Sequence, residues 1–478
     1  MPINAYDELE YVSRPFRQTH PDRMASLAML FGLTPPDPAS ARVLDIGCGE
    51  GGNIIPMALT MPGATFHGFD LARTAVEKAK ARIGALGLAN IRVEHLDLMD
   101  FPEDAGDYDY IVAQGFYSWI PDVVRERYLQ LLARHLSPNG IAYVSFNAYP
   151  GAMFRHAWRD GAAFHTGVLG CTDAQERVVE SCNMLQLMAT ARSTPDTWSA
   201  IAGEMVRAVQ TKGMNWVSHD DFGPFFKPFY FHQVAETAAA YGLQYLSDAV
   251  YYDMQPHNLT PGAQGILAQL ADTSVLLREQ YYDFIEMRPF RQILLCRSDV
   301  TPQRPERPEA LRRMHFSSPA ETTKVASDGS YTVHNSLTGI TVELPGPLRN
   351  ILEQLRLAWP NTLPFAAIAL AETDRAKIAG ALLQLYGAAL LEAHASPVAC
   401  GSGTDEHPVA WRLARLEAET SNAVTTRLHT QVQLDDASAR LVRRLDGSAS
   451  RAQLAAEFDD LDGRLNYLAN FGLLEPHS

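Results

Sequence analysis

The chemistry is written most plainly into Arg42-Val43-Leu44-Asp45-Ile46-Gly47-Cys48-Gly49-Glu50-Gly51-Gly52-Asn53. A short apolar run ends in an acid and breaks into alternating glycines, as a buried parallel strand does when it feeds a tight turn into a helix. Glycine lets the backbone come close to a ligand without a Cβ in the way. Two chemistries fit. Gly47, Gly49 and Gly52 satisfy G-x-G-x-x-G, a dinucleotide pattern that is weak when it stands alone. Gly47, Gly49 and Gly51, with Asp45 ahead of them, satisfy D-x-G-x-G-x-G. An acid two residues before the first glycine would repel a pyrophosphate and receive a ligand's ammonium group, which favours the second pattern. Asp70 ends the next apolar run, where an acid hydrogen-bonds the ribose of an adenosine ligand. It supports such a ligand without choosing between the two patterns.

These residues need a sheet to hold them. From Ala41 to Asn147 strand and helix signals alternate as in a doubly wound sheet. Strands are expected at Val43–Ile46, Thr65–Asp70, Ile91–His95, Tyr108–Ala113 and Ile141–Phe146. Helices are expected from Asn53 to Leu59, Ala72 to Leu86 and Val123 to Leu136, with a Ser137-Pro138-Asn139-Gly140 turn before the fifth strand. Ligands bind at the carboxyl ends of such strands, so Tyr117, Ser118 and Trp119 beyond strand four, and Asn147 and Tyr149 beyond strand five, face the reacting group. The closing pieces of the sheet come much later: a Gln233–Tyr241 helix, a Leu243–Leu246 strand and an Arg291–Arg297 strand. Two stretches, 151–231 and 250–288, therefore interrupt the sheet with apolar residues at helical spacing. In the first, the run from His219 to Phe231 is dense in aromatics and suits either a pocket wall or a hydrophobic hinge. The aromatic-rich residues 1–40 either lid the ligand or pack on the first domain.

With Asp45, Asp70 and Asp97 in place, the first domain looks like a class I methyltransferase that uses S-adenosylmethionine (SAM). The resemblance goes further than the fold. Tyr6-Asp7-Glu8, Thr19-His20-Pro21-Asp22-Arg23, the run from Gly51 to Ala58, Tyr117-Ser118-Trp119-Ile120-Pro121 and Asn147-Ala148-Tyr149-Pro150-Gly151 resemble the bacterial protein lysine methyltransferases whose type members act on a rickettsial outer-membrane protein. Tyr281-Tyr282-Asp283-Phe284 with Arg288-Pro289-Phe290-Arg291-Gln292 resembles the methyltransferase regulatory domain of the same proteins. The resemblance implies SAM held by Tyr11, Asp45, Gly47, Cys48, Gly49, Gly51, Asn53, Asp70, Leu71, Asp97, Leu98 and Gln114, the last standing where the family has histidine. Asp97 and Leu98 would offer a carboxylate and a backbone N–H to the adenine edge; a helix cap is the alternative for Asp97.

Methyl transfer to a lysine is an in-line displacement that needs alignment, a deprotonated amine and a setting that tolerates cations. Aromatic faces supply that setting at about 0.5–2 kcal/mol each. Tyr117, Trp119 and Tyr149, with Tyr230 from the insertion, are candidates for this lining; the alternative is that they pack the insertion onto the sheet. Asn147 or Ser118 would orient the amine, and His219 is a candidate base by residue type only. A small-molecule N- or O-methyltransferase with a helical lid is the second reading. A non-catalytic SAM-binding regulatory protein is the third.

Past a proline-rich link at Arg304–Pro308, Leu382–Glu392 and Leu465–Glu475 form a weak repeat, each copy preceded by a strand-like stretch and helical patterns. They read as two tandem winged-helix-like units. The expected architecture is α/β: a Rossmann-like class I methyltransferase sheet with helical insertions, then a C-terminal α+β region, divided at 1–150, 151–231, 232–300, 310–397 and 405–478. A formal charge of −15 on 478 residues argues against an electrostatic grip on nucleic acid, so the C-terminal units point to protein recognition or a homodimer. Five widely spaced cysteines without a C-x-x-C pair argue against a zinc site and a disulfide framework. No apolar run is long enough to span a membrane. A cytoplasmic enzyme with no metal, acting on a protein, is the expectation.

Overall fold

Apolar runs separated by turns build a seven-stranded sheet in the computed structural model, which describes residues 13–211, 225–327, 329–345, 348–368 and 375–476. The strands are β1 (Arg42–Ile46), β2 (Thr65–Asp70), β3 (Ile91–His95), β4 (Tyr108–Ala113), β5 (Leu136–Asn147), β6 (Leu243–Asp248) and β7 (Phe290–Arg297). Their order is β3-β2-β1-β4-β5-β7-β6, parallel except for β7, which runs antiparallel to both β5 and β6. Between β1 and β4 the winding reverses, and a crevice opens there at the carboxyl ends of the strands.

Helices α1 (Pro21–Leu30), α2 (Ile54–Thr60), α3 (Arg73–Ala85) and α4 (Asp122–His135) cover the sheet. Side chains alternate across a strand, so Val43, Phe66, Tyr110 and Val112 join a core with α1, α2 and α3. Leu44, Ile46, Phe69 and Ile111 join the opposite one, under α4. The expected Ser137–Gly140 turn is absorbed into β5 as a bulge: Tyr108 pairs with Leu136 and Tyr110 with Ile141, leaving four residues opposite Asp109. Ser137 Oγ donates to Asp109 Oδ1 at 2.9 Å. A Cβ on Gly140 would lie 3.0 Å from the Asp109 carbonyl, so glycine is what lets the bulge close against β4.

The first insertion is three helices, α5 (Ala152–Leu169), α6 (Ala174–Thr190) and α7 (Thr197–Gln210), the last two capped by Asp173 and Asp196. They share a small core of Trp158, Ala162, Leu185 and Ala202. Their return segment lays Phe229 beside Ala148 as an isolated parallel bridge and leads into α8 (Phe231–Ala240). The second insertion contributes α9 (Pro261–Thr273) and α10 (Val275–Glu286).

The C-terminal region has two halves, each ending in a helix and a short return. In its first half β8 (His315–Ser317), β9 (Glu321–Val325), β10 (Tyr331–His334) and β11 (Thr341–Leu344) precede α11 (Arg349–Ala358), β12 (Leu363–Pro364), α12 (Phe365–Ile368), α13 (Arg375–Gly387) and β13 (Glu392–His394). In its second half α14 (Arg412–Glu417), β14 (Ala423–Thr425) and β15 (Gln431–Gln433) precede α15 (Asp436–Arg444), α16 (Arg451–Glu457) and α17 (Leu461–Asn470). The two sequence repeats are the last helix of each half with the return that follows it, β13 in one and Leu474 bridging Ala410 in the other. Leu382 and Leu465 belong to the same continuous core as Val43. Among the described residues no helix is long and apolar enough to cross a membrane.

Candidate functional site

After β1 the backbone zigzags through Gly47, Gly49 and Gly51, with φ of 73°, 53° and 76°, a region that L side chains avoid. Gly52 is needed for a different reason. A Cβ there would lie 2.5 Å from the Ser13 backbone, and its N–H donates to Ser13 Oγ at 2.9 Å. The alternating glycines thus shape the turn, while Gly52 lets the N-terminal segment cross it. The D-x-G-x-G-x-G pattern describes the geometry and the G-x-G-x-x-G pattern only overlaps it.

Asp45 is 3% exposed, and its Oδ2 has no hydrogen-bond partner among the described residues. Burial pushes its carboxyl up to about 7, against the Asn53 amide and with help from the Asp70 charge. A buried acid left unsatisfied at the switch point fits a ligand's cationic group. Asp70 Oδ2 accepts the Gly49 N–H and Oδ1 the Ala72 N–H, both at 2.8 Å, so the acid at the end of β2 braces the glycine turn. Leu71 beside it is 51% exposed, an apolar shelf. Cys48 is buried in the space above Gly68, where a Cβ would come within 2.9 Å of its sulfur.

Asp97 behaves as the cap: its Oδ1 accepts the Met99 N–H at 2.9 Å, and the Leu98 side chain is buried. Gln114 accepts a hydrogen bond from the Tyr143 hydroxyl, which is also 2.7 Å from Gln292 Oε1. Its amide therefore lies in a polar chain that links β4, β5 and β7.

Asn53 is a junction. Its Oδ1 receives the Phe16 N–H at 3.1 Å and stands 3.0 Å from both the Thr19 hydroxyl and His429 Nε2.

On the acceptor side the residues divide. Tyr117 is 2% exposed, packed among Tyr128, Phe146 and Phe229 with the Arg125 guanidinium 5.1 Å from its ring centre. Burial holds its phenol up at about 12. It is a core residue and offers no surface to an acceptor, because the 3-10 turn after β4 points it inward. Ser118 and Asn147 are buried too: Ser118 Oγ accepts the Asn147 N–H at 2.9 Å, and Asn147 Oδ1 accepts from Arg155 at 3.0 Å. Both strand tips are spent on holding the insertion. Trp119 packs on Phe226 at 5.2 Å, with Arg155 and Arg159 over its face.

Tyr149 and Tyr230 remain open, their rings 5.2 Å apart, on a cleft of about 560 Å³ shared with His156, Phe226, Phe229 and Glu236. The Tyr149 hydroxyl is 2.9 Å from His156 Nδ1. The return segment builds this wall by pairing with the strand tips: Lys227 N–H to Ser118 O, Phe229 N–H to Asn147 O and Tyr149 N–H to Phe229 O, at 2.9, 3.0 and 2.9 Å. Its aromatics form a pocket wall. Tyr11 and His219 lie outside the described residues.

Residues 43–140 match the family described as a methyltransferase domain, 214–297 the predicted methyltransferase regulatory domain, and 406–461 the C-terminal winged helix domain of PKMT. The chain is 33% identical over 299 residues to the uncharacterized protein RP789 of Rickettsia prowazekii, covering 62% of this chain and 53% of that one. It thus spans about half the length of that relative. It is 32% identical over 235 residues to the uncharacterized protein RP028 of the same organism, covering 49% of this chain and 93% of that one. The chain belongs to this methyltransferase family. Its fold is that of PKMT2 from Rickettsia typhi, solved by itself and in complex with AdoHcy. The TM-scores are 0.84 and 0.85 at 23% identity, covering 97% of this chain and 100% and 99% of that one.

PKMT2 was solved with AdoHcy, and the crevice of this chain has residues that fit SAM. Asp45 supplies the unsatisfied buried acid, Asp70 a second carboxylate at the end of β2, and the glycine turn an approach free of Cβ atoms. Reading the sequence missed Ser13, Phe16, Thr19 and His429 around the loop, and His156 at the cleft. Thr19 lies inside the Thr19-His20-Pro21-Asp22-Arg23 motif. His429, on the turn between β14 and β15, has no local signal at all.

Proposed function

We propose that this methyltransferase moves methyl groups from SAM onto lysine side chains of a protein, at the cleft walled by Tyr149 and Tyr230. The observation that carries the reading is this pair of half-buried tyrosines lining the cleft, with Glu236 and His156 on the same cleft, beyond the carboxyl end of β5. Bound SAM supplies a methyl group on a sulfonium. In the crevice, Asp45 would take the cofactor's ammonium group, Asp70 its ribose, and the exposed Leu71 would lie under its adenine. In the cleft, the two tyrosine faces would steady an alkylammonium at about 0.5–2 kcal/mol each. The Tyr149 hydroxyl, 2.9 Å from His156 Nδ1, gives the amine's proton a way out: onto the phenol oxygen as the phenol proton passes to the imidazole. The five-part division of the chain goes with this reading, the insertions shaping the acceptor cleft and the two C-terminal units bearing on partners, a second copy among them.

The test is an incubation of the full chain with labelled SAM and fractionated native lysate, read by mass spectrometry. Label on lysine side chains supports the reading. Label confined to a small molecule refutes it.

A further inference from the structure

Asn53 is the last residue of the glycine turn and stands at the start of the helix after it, where its side chain makes no cap bond. The Phe16 backbone N–H can only donate, so the Asn53 atom facing it is the carbonyl oxygen. His429 Nε2 faces that same oxygen at 3.0 Å and must therefore carry the ring proton. The Thr19 hydroxyl shares its single proton between Asn53 Oδ1 at 3.0 Å and the Phe16 carbonyl at 2.7 Å. These donors fix which way the amide is turned. Its Nδ2 is left buried with no partner among the described residues, on the side of Asp45, whose ionisation it favours.

The histidine is held to this task. It is 4% exposed, its ring stands edge-on to His20 at 5.1 Å, and burial beside His20, Arg23 and Arg17 keeps it neutral. Its φ of 56° is a left-handed conformation that is unfavourable for a non-glycine residue. Strain of this kind persists where the surroundings demand it.

With SAM as the ligand of the loop, as proposed above, we infer that His429 is a positioning residue of the cofactor site: the second C-terminal unit completes that site by orienting the Asn53 amide toward Asp45 and the bound cofactor. The cofactor pocket then belongs to both ends of the chain.

Calorimetric titration of the full chain with SAM tests this. His429→Asn keeps a residue that tolerates the left-handed backbone but is too short to reach Asn53. It is expected to weaken SAM about three- to tenfold, the range of one net hydrogen bond, while His429→Gln, which keeps a donor at similar reach, stays within about twofold of the parent. Arg412→Ala loosens the same unit elsewhere, where Arg412 Nη1 donates to Leu86 O at 3.1 Å; it is expected to lower the melting temperature and leave the affinity alone. Linkage also requires SAM to steady the histidine's own turn, so amide exchange across 426–430 in the unmutated chain should slow when SAM is added. Unaltered affinity in folded His429→Asn, an equal loss in Arg412→Ala, or unchanged exchange at 426–430 would each overturn the inference. A parent chain that does not bind SAM would instead sink the cofactor reading itself.

Discussion

Asp45 stands in the free protein with a carboxyl raised to about 7, so near neutral pH it is divided between its two protonation states. A bound ammonium group favours the charged form and lowers that value. Binding then expels a proton. SAM affinity is expected to rise with pH below about 7, by up to about tenfold per unit, and to level off above. Calorimetry in buffers of different ionisation enthalpy would detect the proton, and Asp45→Asn should flatten the profile; a flat profile in the parent would remove the acid from the site. At the cleft, Tyr149→Phe keeps the ring and loses the hydroxyl. It should cut kcat about tenfold or more with little change in acceptor KM, since proton transfer is a large term; an effect on KM alone would leave the tyrosine a binding surface only. The sequence carried the acids and glycines because their roles follow from local backbone geometry. It could not carry the fate of Tyr117, since beyond a strand end no period says which way a side chain turns.

At the scale of elements, β7 and α10 are pinned by charge. The side chain of Arg291 has no exposed surface and lies 2.9 Å from both Glu279 and Asp283 and 2.5 Å from Asp248, while Arg288 adds bonds to Asp248 and Asp283. Asp253 is left at the edge of this network, its carboxyl pushed up to about 6 by burial and then by Asp248. The folded chain keeps a proton there that the unfolded chain releases from about pH 4, so stability is lost as the pH rises toward 6. Asp253→Asn should melt about 2 °C or more above the parent at pH 7.5, with a clearly smaller gain at pH 4.5. An equal gain at both values in scanning calorimetry would refute the assignment. The sequence placed β7 within a residue, from its continuous apolar run, and missed the β5 bulge, whose signal of Pro138 and Gly140 is that of an ordinary turn.

Across the whole molecule, residues 17–23 pack against the C-terminal region. Arg17 and Arg23 both pair with Glu392, Asp22 holds His394 Nδ1 at 2.7 Å and the Ser396 N–H at 2.7 Å, and Arg82 meets Glu417 at 2.5 Å. Glu392→Gln leaves two arginines in a site where burial already depresses them to about 10 and about 9. It should cost about 3–5 kcal/mol, the scale of a broken buried pair. Urea unfolding would measure it, and a loss under about 1 kcal/mol would show the triad to be open to water. A C-terminal winged-helix unit could be foreseen from the repeat, but the docking of this region could not, because the partners stand some 370 residues apart and share no pattern.

The bond between His429 and Asn53 closes a loop of 376 residues. Closing so long a chain costs about 5 kcal/mol in entropy, from the logarithm of its length, far more than one hydrogen bond returns. It therefore forms only together with the packing around it, and in a chain emerging from the ribosome it cannot exist until residue 429 has been made. A product cut short of residue 429 would carry every glycine and acid of the loop and still present Asn53 without its histidine, so tight cofactor binding would serve as a mark that synthesis has passed that residue.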